Sequence, residues 1–219
     1  MIQNSREKKD ITTVMGPIGC GKTSYIWAIN YVGKKDPTSK LFVAPETITT
    51  IRYMEYLDNY ILRDRIFPPP TTLDPKVCTE AQCEWKTELK KQSMFDKGGR
   101  YHLMVQDVSG EFLKYAPDVA LGSPPPENFI VPDPLLMNMY IYLLRNSSNF
   151  IFLLEPLKVK IKGKPTLDDV MLFYDRTILA LSKYRTSKDS PKLKIPIAFV
   201  LTKNDEYDIH DIIAKDINK

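Results

Sequence analysis

The chain alternates between short apolar runs of strand character and longer stretches whose apolar residues recur at helical spacing. Residues 11–15, "ITTVM", form a strand pattern, and 23–32 fit a helix directly behind it. "KLFVAP" is a brief strand pattern. "TITTIRYMEYLDNYILRDRIF" carries Ile48, Ile51, Leu57, Ile61 and Leu62, mostly at helical spacing, which predicts a helix over 47–67. "PPPTTLDP" breaks that pattern, since proline removes a backbone donor and restricts its neighbour. "CEWKTELKKQ" and "RYHLMVQDV" flank "DKGG" and read as two strands joined by a hairpin.

The stretch 115–134, "YAPDVALGSPPPENFIVPDP", is proline-rich and is expected to be irregular, with "LLMNMYIYLLRNS" behind it as a helix. "NFIFLLEP" reads as a buried strand. "TLDDVMLFYDRTILALSKYR" opens on a capping-box-like Thr166 and Asp169 and continues as an amphipathic helix. "IPIAFVLTKND" is another buried strand pattern, and a short helix is expected to close the chain. Strands that alternate with helices and read as continuous apolar runs imply an α/β fold. Its sheet should be mostly parallel, with one antiparallel hairpin strand and helices on both faces. A chain of 219 residues is long enough for one such domain with a full core.

Composition narrows the function classes. A hydrophobic share of 43% and a charged share of 26% are ordinary for a globular protein, and the net charge is only +4. The lysines, among them Lys8-Lys9, Lys34-Lys35 and Lys90-Lys91, are scattered and read as solvated faces rather than a nucleic-acid surface. The polar start "MIQNSREKKD" is not a signal or transit segment, and runs such as "FIFLL" are too short to span a bilayer. The three cysteines, Cys20, Cys78 and Cys83, make an odd set without metal-ligand spacing, which points to a reducing, cytoplasmic setting.

"GPIGCGKT", from Gly16 to Thr23, satisfies G-x-x-x-x-G-K-[ST] between an apolar strand and a helix. Glycines there let consecutive N–H groups turn inward around a phosphate at the positive end of the following helix. Gly19, Cys20, Gly21, Lys22, Thr23 and Ser24 are therefore the expected phosphate-binding residues. Lys22 would reach the terminal phosphates, and the Thr23 hydroxyl would ligate Mg²⁺. "VQDVSGE" ends a later strand pattern: Asp107 would join the metal's shell, and the Gly110 N–H would meet the γ-phosphate. "FVLTKND" places Thr202, Lys203 and Asp205 at a strand tip. A carboxylate at Asp205 can accept from both N–H groups on the guanine edge, and the Lys203 stem can lie over the base.

Taken together and in this order, "GPIGCGKT", "DVSG" and "TKND" resemble the translation-factor-related (TRAFAC-class) P-loop GTPases. The chain is most similar to the bacterial double-GTPase-type families of that class, which share "FPPPTT" ahead of the hairpin and an apolar strand ending like "FLLEP". The resemblance implies a three-layer P-loop NTPase with a Ras-like sheet, GTP and GDP as ligands, Mg²⁺, and two switch loops read by a protein effector or activator.

It also implies a first-switch threonine that ligates Mg²⁺. A long stretch separates Lys22 from "PPPTT", so a helix is inserted around 47–67, and Thr71 or Thr72 takes that role. Thr49 and Thr50 stand in if the insertion lies on the other side of the switch. Glu111 occupies the place of the water-orienting glutamine and is the expected catalytic position alongside Lys22. Ile18 stands where many relatives carry glycine, which crowds the γ-phosphate approach. The sequence stops at Lys219, shortly after Asp205, so the family's last strand and helix are expected either in a longer chain of which this is a fragment or from a partner. The strand "IPIAFVL" is then an edge that invites pairing with another chain. The expected protein is a slow GTP-hydrolysing switch; the alternatives are a P-loop ATPase and a non-hydrolysing, nucleotide-stabilised scaffold.

Overall fold

The computed structural model of the chain describes residues 11–35, 41–69, 82–89, 99–106, 109–124, 134–155, 167–186 and 192–202. The element order is β1 (Thr12–Met15), α1 (Lys22–Lys35), β2 (Leu41–Pro45), α2 (Ile48–Asp58), a π-helical turn (Asn59–Asp64), β3 (Gln82–Leu89) and β4 (Gly99–Gln106). There follow α3 (Gly110–Leu113), α4 (Ala116–Leu121), α5 (Pro134–Asn146), β5 (Asn149–Leu154), α6 (Leu167–Arg185) and β6 (Ile197–Leu201).

The fold is mixed α/β. β5 lies between β1 and β6 in a parallel sheet, with Met15 opposite Phe152 and Leu154 opposite Leu201. β2, β3 and β4 form an antiparallel sheet in that order, and β4 packs against β1. Successive residues of a strand face opposite sides, and β1 and β5 use both. Met15, Phe150 and Phe152 enter one hydrophobic cluster with Leu113, Tyr140 and Tyr174, drawn from α3 to α6. Val14 and Leu153 enter the other, with Ile26, Met54, Leu57 and Trp85 from α1, α2 and β3. Both faces of these two strands are thus covered, which is why β5 reads as a nearly continuous apolar run.

Three features differ from the sequence expectation. The antiparallel part has three strands, because "LFVAP" pairs with β3 from Leu41–Leu89 to Pro45–Trp85. The proline-rich stretch after Tyr115 contains the helix α4: Pro117 sits in its first turn, where its missing N–H is no loss, and Gly122 (φ 104°) closes it. The helix expected over 47–67 begins on an N-cap, with Thr47 accepting from Thr50 N–H. It then widens into the π-helical turn and stops at Arg65, whose φ of 55° swings the chain away. Along this segment Tyr53 stacks on Tyr56, Tyr56 meets Tyr60 edge to face, and Tyr56 is exposed.

α4 is tied to α6. Arg176 donates to the Asp118 carboxylate, while Lys183 Nζ (2.9 Å) and the Tyr184 hydroxyl (3.2 Å) donate to Ala120 O. β6 has β5 as its neighbour among the described strands, and Phe199 and Leu201 are 55% and 45% exposed. Thr166, the segment 203–219 and its expected helix lie outside the described residues. No helix among the described residues is long and apolar enough to cross a membrane.

Candidate functional site

β1 ends at Met15, and the chain turns through 16–21 before α1 begins at Lys22. Gly19 (φ 76°) and Gly21 (φ 85°) adopt the left-handed backbone that a Cβ disfavours, and a Cβ on either would meet nothing within 4 Å. Conformation, not space, demands glycine at both. At Gly16 the demand is steric. A Cβ there would strike the Cys20 sulfur and stand 3.1 Å from Leu153 O.

Inside the turn, Lys22 is 7% exposed. Its ammonium donates to Gly16 O (2.9 Å) and Pro17 O (3.0 Å), using two of its three protons. Among the described residues no carboxylate pairs with it, and the first turn of α1 holds no acidic residue. Thr23 and Ser24 follow in that turn, and Tyr25 N–H donates to Gly21 O at 2.8 Å to start the helical ladder. The arrangement concentrates positive charge, from Lys22 and the helix's positive end, at one end of the parallel sheet.

The other motifs converge on the same edge where they are described. Gly110 opens α3 after β4 and touches the loop directly: a Cβ on it would lie 2.6 Å from Ile18 Cα and 2.8 Å from Ile18 N. Thr202 follows β6, where its N–H (2.8 Å) and its hydroxyl (3.2 Å) both donate to Leu154 O at the tip of β5. In a parallel sheet the tips of β1 and β6 lie two strand spacings apart, roughly 10 Å. Glu155, 3% exposed, closes β5 between them. Thr50 is engaged elsewhere. Its hydroxyl accepts from Glu84 N–H (2.8 Å) and shares a hydrogen bond with Thr47, joining α2 to β3. Thr49 is also within α2. Asp107, Thr71, Thr72, Lys203 and Asp205 lie outside the described residues, as does the side chain of Glu111.

Motif reasoning missed what lies under the loop. Tyr174, on α6 and 2% exposed, donates its hydroxyl to Leu153 O, the carbonyl on which Gly16 rests. Burial pushes this phenol well above its ordinary range, and the Cys20 thiol beside it pushes the same way. In sequence Tyr174 is one more aromatic on a core-facing helical stripe, and only the hydroxyl hints at a polar duty. The chain matches no protein-family model and no curated protein.

Proposed function

We propose that the chain is a guanine-nucleotide-binding switch protein with a three-layer P-loop NTPase fold. It hydrolyses GTP slowly to GDP and phosphate and signals to a protein partner through the loops beside the γ-phosphate. The observation that carries this reading is Lys22: a buried ammonium, held by two loop carbonyls inside a glycine turn, without a carboxylate among the described residues. A buried cation is costly unless charge compensates it, and an anionic ligand in the turn would do so. Ligands of open α/β sheets sit at the carboxyl ends of the strands, which is where the loop, Gly110 and Thr202 lie.

In this reading the N–H groups of Gly19, Cys20, Gly21, Lys22, Thr23 and Ser24 cradle the phosphates. Thr23, Asp107 and Thr71 or Thr72 would hold Mg²⁺, which supplies charge neutralisation to the phosphoryl oxygens. Gly110 N–H faces the γ-phosphate, and Thr202, Lys203 and Asp205 receive the guanine. Glu111, ionised at neutral pH, accepts hydrogen bonds but donates none, so it serves poorly where a side chain must also donate to phosphoryl oxygens. Turnover without a partner is then no faster than about 10⁻³ per second.

Titration with GDP, GTP, ADP and ATP under Mg²⁺ tests the reading. Guanine nucleotides should bind at least about tenfold more tightly, because adenine leaves Asp205 without its two hydrogen bonds. Equal affinities would remove the guanine assignment, and binding unaffected by Mg²⁺ and by Lys22→Ala would remove the site. The close contact of Ile18 with Gly110 favours one second reading, a scaffold that binds nucleotide without hydrolysis. Single-turnover measurement with saturating GTP and Mg²⁺ separates the two.

A further inference from the structure

The phosphate loop stands on a buried floor contributed by a distant helix. The last paired residues of β1 and β5 are Met15 and Phe152, so Leu153 lies opposite the first loop residue, just beyond the ladder. Gly16 packs flat on Leu153 O and on the Cys20 sulfur, with no room for a Cβ. Its own carbonyl, with that of Pro17, receives the Lys22 ammonium. The position of Lys22 therefore depends on Gly16, and that of Gly16 on Leu153. What fixes Leu153 O from below is the Tyr174 hydroxyl, whose ring is itself wedged against Phe152 (4.8 Å, stacked) and Phe199 (6.0 Å, edge-on).

We infer that Tyr174 is a positioning residue for the phosphate site, its hydroxyl setting the level at which the loop, and through it Lys22, meets the ligand's β-phosphate. The inference rests on the nucleotide-binding reading above. Tyr174 touches no ligand; it acts through Leu153 O and Gly16. A phenol keeps its proton throughout the neutral range, and burial pushes its loss higher still, so the hydroxyl remains a donor. Tyr140 supplies the natural comparison. It is a second buried tyrosine of the same cluster, but its hydroxyl is near Thr177, whose own proton goes to Phe173 O (2.8 Å), and it makes no hydrogen bond to Leu153 O.

The test uses the full chain, GDP with Mg²⁺, GMP as the ligand lacking a β-phosphate, and the variants Y174F and Y140F. Y174F should bind GDP about tenfold more weakly, the order of one lost hydrogen bond, while its affinity for GMP stays within about twofold of wild type. The phosphorus resonance of the bound β-phosphate should move in Y174F and stay in place in Y140F. A merely structural role for the hydroxyl would lower both affinities together or neither. Should Y174F fail to fold, 3-fluorotyrosine at position 174 keeps the ring and alters the donor, and a β-phosphorus resonance unmoved from wild type overturns the inference. Y174F with wild-type GDP affinity and resonance overturns it too, leaving the nucleotide reading intact. Wild-type protein that binds neither GDP nor ADP removes that reading, and the inference falls with it.

Discussion

Replacing Gly110 by alanine should strain the glycine turn 16–21 from the side. The added methyl would stand 2.6 Å from Ile18 Cα, 2.8 Å from Ile18 N and 2.9 Å from Ile18 Cγ1. Carbon atoms in ordinary contact sit about 3.5–4.0 Å apart, so a gap of about 1 Å must open. Two of the three opposing atoms are main chain, in a turn whose carbonyls also hold Lys22, so a rotamer change offers no relief. Overpacking that forces backbone to shift costs typically about 1–3 kcal/mol. For a chain of this size each kcal/mol moves Tm by about 2–4 °C, so Gly110→Ala should melt about 2–12 °C below wild type. Calorimetry and urea midpoints provide the measurement. Adding Ile18→Gly removes only the Cγ1 contact, so the double variant should regain less than half of the loss. Gly122→Ala separates space from conformation: nothing lies within 4 Å of its Cβ, but φ is 104°, so about 1 kcal/mol of backbone strain is the whole expected effect. An unchanged Tm in Gly110→Ala, or full recovery in the double variant, would refute the idea that loop backbone and Gly110 are in contact.

Lys22→Met keeps the aliphatic stem but removes the ammonium, and GDP affinity measured by calorimetry should fall at least about a hundredfold, the upper range for one charge-assisted contact. Affinity unchanged in that variant would make the turn a structural one. Tyr140→Phe deletes a buried hydroxyl that lacks a partner of good geometry, so its urea midpoint should hold or rise, by up to about 1 kcal/mol of stability; a loss above about 1 kcal/mol would mean the hydroxyl is satisfied. Burial raises the phenols of both Tyr140 and Tyr174 above their ordinary 10.0. Above pH 10 the unfolded chain releases these protons before the folded one does, so stability present below that pH is lost as pH rises further. Urea midpoints between pH 9 and 12 should fall, and fall less in the Tyr140→Phe, Tyr174→Phe double variant.

The strands that carry the site were legible because burial on two faces leaves one kind of signature. "ITTV" and "NFIFLL" have no polar alternation, and the structure puts Val14 and Leu153 on one side, Met15 and Phe152 on the other. Gly19 and Gly21 were legible because the turn's backbone is left-handed at both, a conformation that favours glycine. α4 was not, since prolines at 117 and 124–126 dominate the local pattern while the helix needs only that Pro117 fall in its first turn. Nor was the hydrogen bond of Tyr174, which depends on where a carbonyl of β5, distant in sequence from its own helix, ends up. β6 reads as a buried strand from its composition, yet Phe199 is more than half exposed, because apolar content reports what a strand prefers rather than what is beside it.

The parallel pairing of β1 with β5 has a consequence for the order of events when the chain is made. Thr13 and Ser147, 134 residues apart in sequence, share a buried hydrogen bond of 2.6 Å, and this joins the first described strand to a segment much later in the chain. Contacts so distant form slowly, because loop closure must precede any gain from them. At ordinary synthesis rates, about 5–20 residues per second, the loop 16–21 emerges on the order of ten seconds before the strand and helix that underlie it. Through that interval its glycines have nothing beneath them. A nascent chain cut short before Leu153 and Tyr174 would carry every residue of the G-x-x-x-x-G-K-T motif and still lack the surface that gives the motif its shape.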